Sequence, residues 1–193
     1  RVLMIGTDMA AGKMTVGLEL YSYLKEKQIN AGFVATGQVG ITVTGKGIPL
    51  DAYKLDHACG AVESAVIEQK DKDIVIVEGQ GSILHPGSTA TLPLMRGTCP
   101  THMILCHIAR NDSLRSLENI KIPDLKKFIK LNEELATVIG TYPDTKVIGI
   151  ALNTILMTDE AAKEYMKKTE EETGLPVTDV VRYGGDKIFS QLI

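Results

Sequence analysis

A short apolar run, Val2–Ile5, breaks at Gly6 into a glycine-bounded loop, and Gly12-Lys13-Met14-Thr15 then opens a helical pattern. No other stretch limits the possible folds so strongly. A strand that ends in a glycine loop, then a lysine, then a helix wraps a chain of phosphates. Glycines let backbone N–H groups turn inward, the helix N-terminus adds partial positive charge, and the lysine adds a full one. Two details depart from the usual pattern. Five residues rather than four separate Gly6 from Gly12, and Met14 follows Lys13 where a Ser or Thr hydroxyl ordinarily ligates Mg²⁺. The segment is therefore predicted to bind phosphate without being an ordinary ATPase loop.

The rest of the chain alternates apolar strand-like runs with helical patterns, which predicts an α/β fold with a mainly parallel sheet. Strands are predicted at Val2–Ile5, Gly32–Ala35, Asp73–Val77, Thr101–Cys106 and Lys146–Leu152. Helices are predicted from Lys13 to Lys27, Asp51 to Gln69, Pro123 to Ile139 and Asp159 to Thr173. The connection from Glu78 to Pro100 reads as an irregular functional loop, and the Gly37–Gly47 stretch as a mobile flap. No linker or repeat interrupts residues 1–193, so one domain is expected. The chain opens on Arg1 directly before a strand, which reads as the continuation of a longer protein with an amino-terminal domain.

Composition removes several classes of partner. A formal net charge of −3 gives no basic field for nucleic acid. No apolar run reaches the roughly 18–20 residues that a membrane helix needs. Three cysteines, Cys59, Cys99 and Cys106, form no disulfide framework, and a cytoplasmic setting is expected.

Chemistry is expected along the carboxyl edge of the sheet, where open parallel sheets bind ligands. Gly6, Thr7, Asp8, Gly12, Lys13, Met14 and Thr15 form the candidate phosphate loop, Asp8 being placed to touch a ribose, a metal or an amine. Glu78, in Val77-Glu-Gly-Gln-Gly-Ser82, closes a buried strand and can either hold Mg²⁺ or act as a general base. Asn153 ends another strand, where an amide can read a base edge, although asparagine also ends strands for conformational reasons. His85 in the long loop is a candidate acid/base, or else a solvated histidine. His107 and Arg110, read as lying past a strand end, are candidate anion or carboxylate contacts, as is Arg96. Gln38 and Gln80 are candidate substrate contacts. Asp51 is read only as a helix N-cap. Cys99, His102, Cys106 and His107 have metal-binding residue types but not the spacing, so no metal site is expected there.

Three of these pieces resemble the dethiobiotin synthetase and cobyrinic-acid amidase group of P-loop proteins: the Gly6-Thr-Asp…Gly12-Lys13 loop, the Val77-Glu-Gly segment and Asn153. That resemblance implies a three-layer α/β/α P-loop NTPase-like fold. A closer match spans nearly the whole chain. The segments Ala35-Thr-Gly-Gln-Val-Gly-Ile41, Gly47-Ile-Pro-Leu-Asp-Ala52, Val77-Glu-Gly-Gln-Gly-Ser82, Leu84-His-Pro86, Leu105-Cys-His107 and Ile150-Ala-Leu-Asn-Thr154 are similar to the carboxy-terminal domain of the D-glutamate N-acetyltransferase-like family, once known only as a domain of unknown function. The resemblance implies an additional amino-terminal domain and transfer of acetyl from acetyl-CoA to the amine of D-glutamate or a related amino acid. The phosphate loop and Lys13 would then clamp coenzyme A, while Glu78 or His85 takes the amine proton and a basic residue such as Arg110 or Arg96 holds the substrate carboxylate. Two alternatives fit the same residues. One is an ATP- and Mg²⁺-dependent carboxylate-activating ligase. The other is a non-catalytic nucleotide-sensing module that dimerises. The expected assembly is a homo-oligomer.

Overall fold

The computed structural model describes residues 1–193. In chain order the elements are β1 (Val2–Gly6), α1 (Lys13–Glu26), β2 (Ala31–Val34), α2 (Gln38–Thr44), α3 (Leu55–Ile67), β3 (Ile74–Val77), α4 (Thr91–Thr98) and β4 (His102–Ile108). They continue with β5 (Ser113–Leu114), β6 (Leu117–Lys121), α5 (Leu125–Thr137), β7 (Lys146–Asn153), α6 (Asp159–Thr173), β8 (Val177–Thr178), α7 (Val180–Tyr183) and α8 (Asp186–Phe189).

Six strands pair in the order β2-β3-β1-β4-β7-β8, all parallel, while β5 and β6 form a separate antiparallel hairpin. Strand residues alternate between two buried faces, because successive side chains in a strand point to opposite sides. Leu3, Ile5, Val75, Val77, Met103 and Leu105 pack with Val62, Leu94 and Phe128, under α3, α4 and α5. Val2, Met4, Ile76, Ile104 and Cys106 pack instead with Val16, Leu20, Leu24 and Phe189, under α1 and α8. Helices thus cover both faces of the sheet, as in P-loop NTPases. The four-residue spacing of Val16, Leu20 and Leu24 lays one apolar stripe of α1 on the sheet, and Leu20 and Leu24 are fully buried.

The connection from β1 runs out toward β2 and β3, and the connection from β3 crosses to β4 on the other side of β1. The carboxyl end of β1 is therefore a topological switch point, where a crevice opens between diverging loops.

Three predicted boundaries need correction. The Gly37–Gly47 stretch is not a loose flap but begins with α2, a two-turn helix that Gly45 closes in the left-handed conformation (φ 74°). Asp51 lies in a short 3₁₀ turn (Leu50–Ala52), and Lys54, not Asp51, precedes α3. The Glu78–Pro100 connection holds α4, whose apolar side carries Leu94 and Met95 into the core. The hairpin β5–β6 and the short helices α7 and α8 were not foreseen.

Candidate functional site

Glycine governs the loop between β1 and α1. Gly12 sits at φ 106° immediately before α1, a conformation that L side chains resist. The first bond within α1 runs from the Val16 N–H to the Gly12 carbonyl (2.9 Å). The amides of Lys13, Met14 and Thr15 therefore have no intrahelical acceptor and are free for an anion. Loop and helix open onto a cavity of about 530 Å³ lined by Gly12, Lys13, Met14, Thr15, Glu78 and Gln80, among others. Lys13 is buried, and its ammonium donates to the Asp8 carbonyl (2.8 Å). Desolvation lowers its pKa against partial support from the nearby Asp8 and Glu78 carboxylates. A cation so placed gains from an anionic ligand that replaces its lost water.

Glu78 faces the same cavity from the end of β3 and is buried. Its Oε2 accepts the N–H groups of Thr36 (2.9 Å) and Gly37 (3.1 Å), and its carbonyl accepts the Thr36 hydroxyl (2.8 Å). One carboxylate oxygen is thus held by two amides while Oε1 is spared. Gln80 lines the cavity beside it and donates its side-chain amide to the Thr36 carbonyl. Gln38, the first residue of α2, also lines it and donates to Asp51 Oδ2 (3.1 Å).

A second cavity, about 260 Å³ and largely apolar, lies on the opposite side of the first turn of α1 and shares Gly12 and Thr15 with the first. Asn153 lines it and accepts the Ile155 N–H through Oδ1 (3.2 Å), which leaves the amide nitrogen unengaged. Asp179 and Arg182, which sequence reading missed, line it too. Asp179 caps α7 by accepting the Val181 and Arg182 N–H groups, and its other oxygen accepts the Thr154 N–H and hydroxyl. An aspartate directly before Val180-Val181 is an N-cap signal that the sequence did carry.

Several candidates take other positions. Asp8 does not line the cavity: its carboxylate is fully buried and accepts the N–H groups of Met9 (2.7 Å) and Arg115 (2.6 Å). Thr7 is buried too, with its hydroxyl on His107 Nδ1 (2.9 Å) and its carbonyl accepting the Ser82 hydroxyl (2.9 Å). Both residues shape the loop from behind. His107 is not past a strand end, because β4 continues to Ile108, and it is no carboxylate-binding cation. Burial pushes its imidazole down to about 4, against weak support from Asp112. Arg96 lies at the wrong end of the sheet. It sits in the last turn of α4, donates to the Leu135 carbonyl (3.0 Å) near the end of α5, and lies 5.6 Å from the Tyr142 ring. Both helices lead into the amino ends of their next strands, away from the phosphate loop. His85 sits in a turn of its own, with Nδ1 accepting the Gly87 N–H (3.1 Å), and it lines neither cavity. Arg110 is exposed beyond β4. Cys106 is buried, which pushes its thiol up to about 12.

The neutral, buried His107 makes stability depend on pH. The unfolded chain binds a proton near 6.5 and the folded one only near 4, so the unfolded state takes up more protons between those values. Stability is full above about pH 6.5, falls as pH drops through the window, and levels below about 4. The full loss is about 3 kcal/mol. Urea midpoints at pH 7.5 and 4.5 are expected to differ markedly less in His107→Asn than in the unsubstituted chain. An equal pH response in both would assign the acid sensitivity to other groups.

The fold and the loop define a P-loop α/β protein whose glycine-lysine loop opens onto one cavity and borders a second, more apolar one. More specifically, residues 1–189 match the family model described as a domain of unknown function, the DUF1611 carboxy-terminal P-loop domain, and the chain belongs to that family. It is 35% identical over 193 residues to a protein of Pseudoalteromonas sp. named D-glutamate N-acetyltransferase, and 35% identical to one of the same name from Tritonibacter scottomollicae. The matches take in the whole chain but only 58% and 57% of those relatives' lengths. A DUF1611 family protein from Anabaena variabilis superposes with a TM-score of 0.97 at 47% identity, over all of this chain and 56% of that one. Cobyrinic acid a,c-diamide synthase from Mycobacterium smegmatis, solved with an ATP analogue and magnesium, superposes at TM-score 0.59 and 14% identity over 92% of this chain and 84% of that one, a likeness of fold. No helix of the chain is long and apolar enough to cross a membrane.

Proposed function

We propose that this domain holds acetyl-CoA for transfer of its acetyl group to the amine of D-glutamate or a related amino acid. The observation that carries the reading is a cradle with its lysine, free amides and buried glutamate in place, but with Met14 where Mg²⁺ would need an oxygen. A thioether is a poor ligand for Mg²⁺, and Glu78 has one oxygen already committed to two amides. These residues fit an anion better than a metal–triphosphate complex. Coenzyme A needs its phosphates bound, not transferred, and a loop that only binds them can lose the hydroxyl.

The second cavity supports the same choice over ATP. Its one cationic lining residue is Arg182, whose guanidinium donates to the Met157 carbonyl (2.9 Å) and retains further donors. Coenzyme A carries a 3′-phosphate that ATP lacks, and an arginine beside an apolar nucleoside cavity suits that charge. In the reaction, the neutral amine attacks the thioester carbonyl and a C–N bond forms. The C–S bond breaks, Glu78 Oε1 takes the amine proton and passes it to the departing sulfur, and coenzyme A leaves as its thiol with the carboxylate restored.

Calorimetric titration with acetyl-CoA, 3′-dephospho-CoA and ATP, each with and without Mg²⁺, tests this. Acetyl-CoA is expected to bind without Mg²⁺ and about tenfold more tightly than the dephospho form. Arg182→Ala is expected to erase that preference. Tight Mg²⁺-dependent ATP binding with no acetyl-CoA signal would overturn the reading in favour of a carboxylate-activating ligase.

A further inference from the structure

Asp8 is fully buried, and its partners explain why it is there. Its backbone carbonyl accepts the Lys13 ammonium (2.8 Å), and its carboxylate accepts the backbone N–H of Arg115 (2.6 Å), 107 residues away. One residue therefore grips both the loop lysine and the tip of the β5–β6 hairpin. The tip is a two-residue turn, Arg115-Ser116, between the paired Leu114 and Leu117, and Ser116 takes the left-handed conformation (φ 66°). Leu114, fully buried, pins the hairpin on its other side. This exposed turn of the chain is thus fixed at two adjacent points, one in the core and one on the phosphate loop.

The tether delivers the Arg115 side chain. Its guanidinium is exposed and takes part in no ion pair or hydrogen bond within the chain. The Arg115 backbone N–H and the Lys13 ammonium both contact Asp8, one at its carboxylate and the other at its carbonyl, so the two residues share one neighbour. An unpaired arginine has no internal ion pair to break when an anion arrives, and its planar fork matches the paired oxygens of a phosphate or carboxylate. The Asp8 carboxylate that holds this turn accepts the backbone N–H groups of Met9 and Arg115 and forms no ion pair with the guanidinium.

We propose that Arg115 is a second cation of the phosphate-loop cavity and binds an oxyanion there, and that Asp8 is the positioning residue that sets it in reach. The inference rests on reading that cavity as an anion site. The oxyanion belongs either to a phosphate of the nucleotide-type ligand or to the carboxylate of the amino-acid acceptor.

The test is calorimetric titration of the chain and of Arg115→Ala, Arg115→Lys and Asp8→Asn with acetyl-CoA, ATP and D-glutamate. Arg115→Ala should weaken at least one of these about tenfold or more, and Arg115→Lys should restore part of the loss. A loss confined to acetyl-CoA and ATP assigns the phosphate, and one confined to D-glutamate assigns the carboxylate. Asp8→Asn should weaken the same ligand although Arg115 is intact. Should that variant fail to fold, the two Arg115 variants, altered only at an exposed side chain, still decide. Affinities all within twofold of the unsubstituted chain in Arg115→Ala would overturn the proposal, as would an unsubstituted chain that binds none of the three. Binding of ATP without acetyl-CoA would overturn the coenzyme A reading alone and leave Arg115 to be judged on ATP.

Discussion

On the proposed acetyl-transfer reading, glutamine in place of Glu78 is expected to cut transfer to D-glutamate by roughly 10²–10⁴-fold, the range for loss of a general base, while acetyl-CoA affinity stays within a few-fold. The geometry makes this an unusually clean substitution. Both amide donors, from Thr36 and Gly37, converge on the same carboxylate oxygen. A glutamine can place its carbonyl oxygen there and its NH₂ where Oε1 stood, so the fold of the β2–α2 junction is retained. What is lost is the ability of that second position to accept a proton. The neighbouring Gly40 leaves no slack, since a Cβ there would stand 2.3 Å from Oε2, so the side chain has little freedom to find another pose. Turnover and calorimetric affinity measured on the same preparation separate the outcomes. A collapse of ligand affinity together with activity would reveal Glu78 as a metal ligand. Undiminished turnover would remove it from proton transfer altogether.

Alanine at Gly79 is expected to destabilise the fold by about 3 kcal/mol or more, at the upper end for a single added methyl. Gly79 follows Glu78 directly, and a Cβ there would lie 1.7 Å from the Met4 carbonyl oxygen and 3.0 Å from Lys13 Cδ. The first obstacle is backbone in the central strand, so it cannot swing aside like a side chain. Relief requires separating the end of β3 from β1, whose register pairs Leu3 with Val77. Urea unfolding should show a lower midpoint at an unchanged slope. Gly60 provides the contrast. It is exposed on α3 and a Cβ there meets nothing within 4 Å, so Gly60→Ala should stabilise by roughly 0.5–1 kcal/mol. Equal shifts for the two would mean that the close approach at Gly79 does not constrain the folded chain. The same tight junction also brings Glu78 to the cavity: with no side chain at position 79, β3 can end against β1 and the carboxylate arrives beside Lys13.

The phosphate loop, α1 and the core strands were legible because their signals are local. A glycine at the helix entry, a lysine after it and apolar spacing of two or four residues each report on a few adjacent residues. Helix α2 escaped because Gln38–Thr44 is short, with β-branched residues and a glycine that favour other conformations, and it forms by closing over Glu78. Hairpin β5–β6 escaped because its strands are short and mostly polar, and Leu114 alone anchors it in the core. Arg182 and Asp179 reach the apolar cavity only because β8 pairs with β7 and brings α7 beside Asn153.

The sequence by itself determined the alternation of elements, the identity of the phosphate loop and the carboxyl edge at which chemistry is expected, since hydrophobic period and glycine spacing act over one or two turns of chain. Only the tertiary structure decided which polar groups face the cavities. Asp8 turns to an amide 107 residues away and His107 is buried neutral behind Thr7. Arg96 is carried to the opposite end of the sheet. A buried polar group must find a partner wherever the fold places one, and no local pattern records where that partner lies.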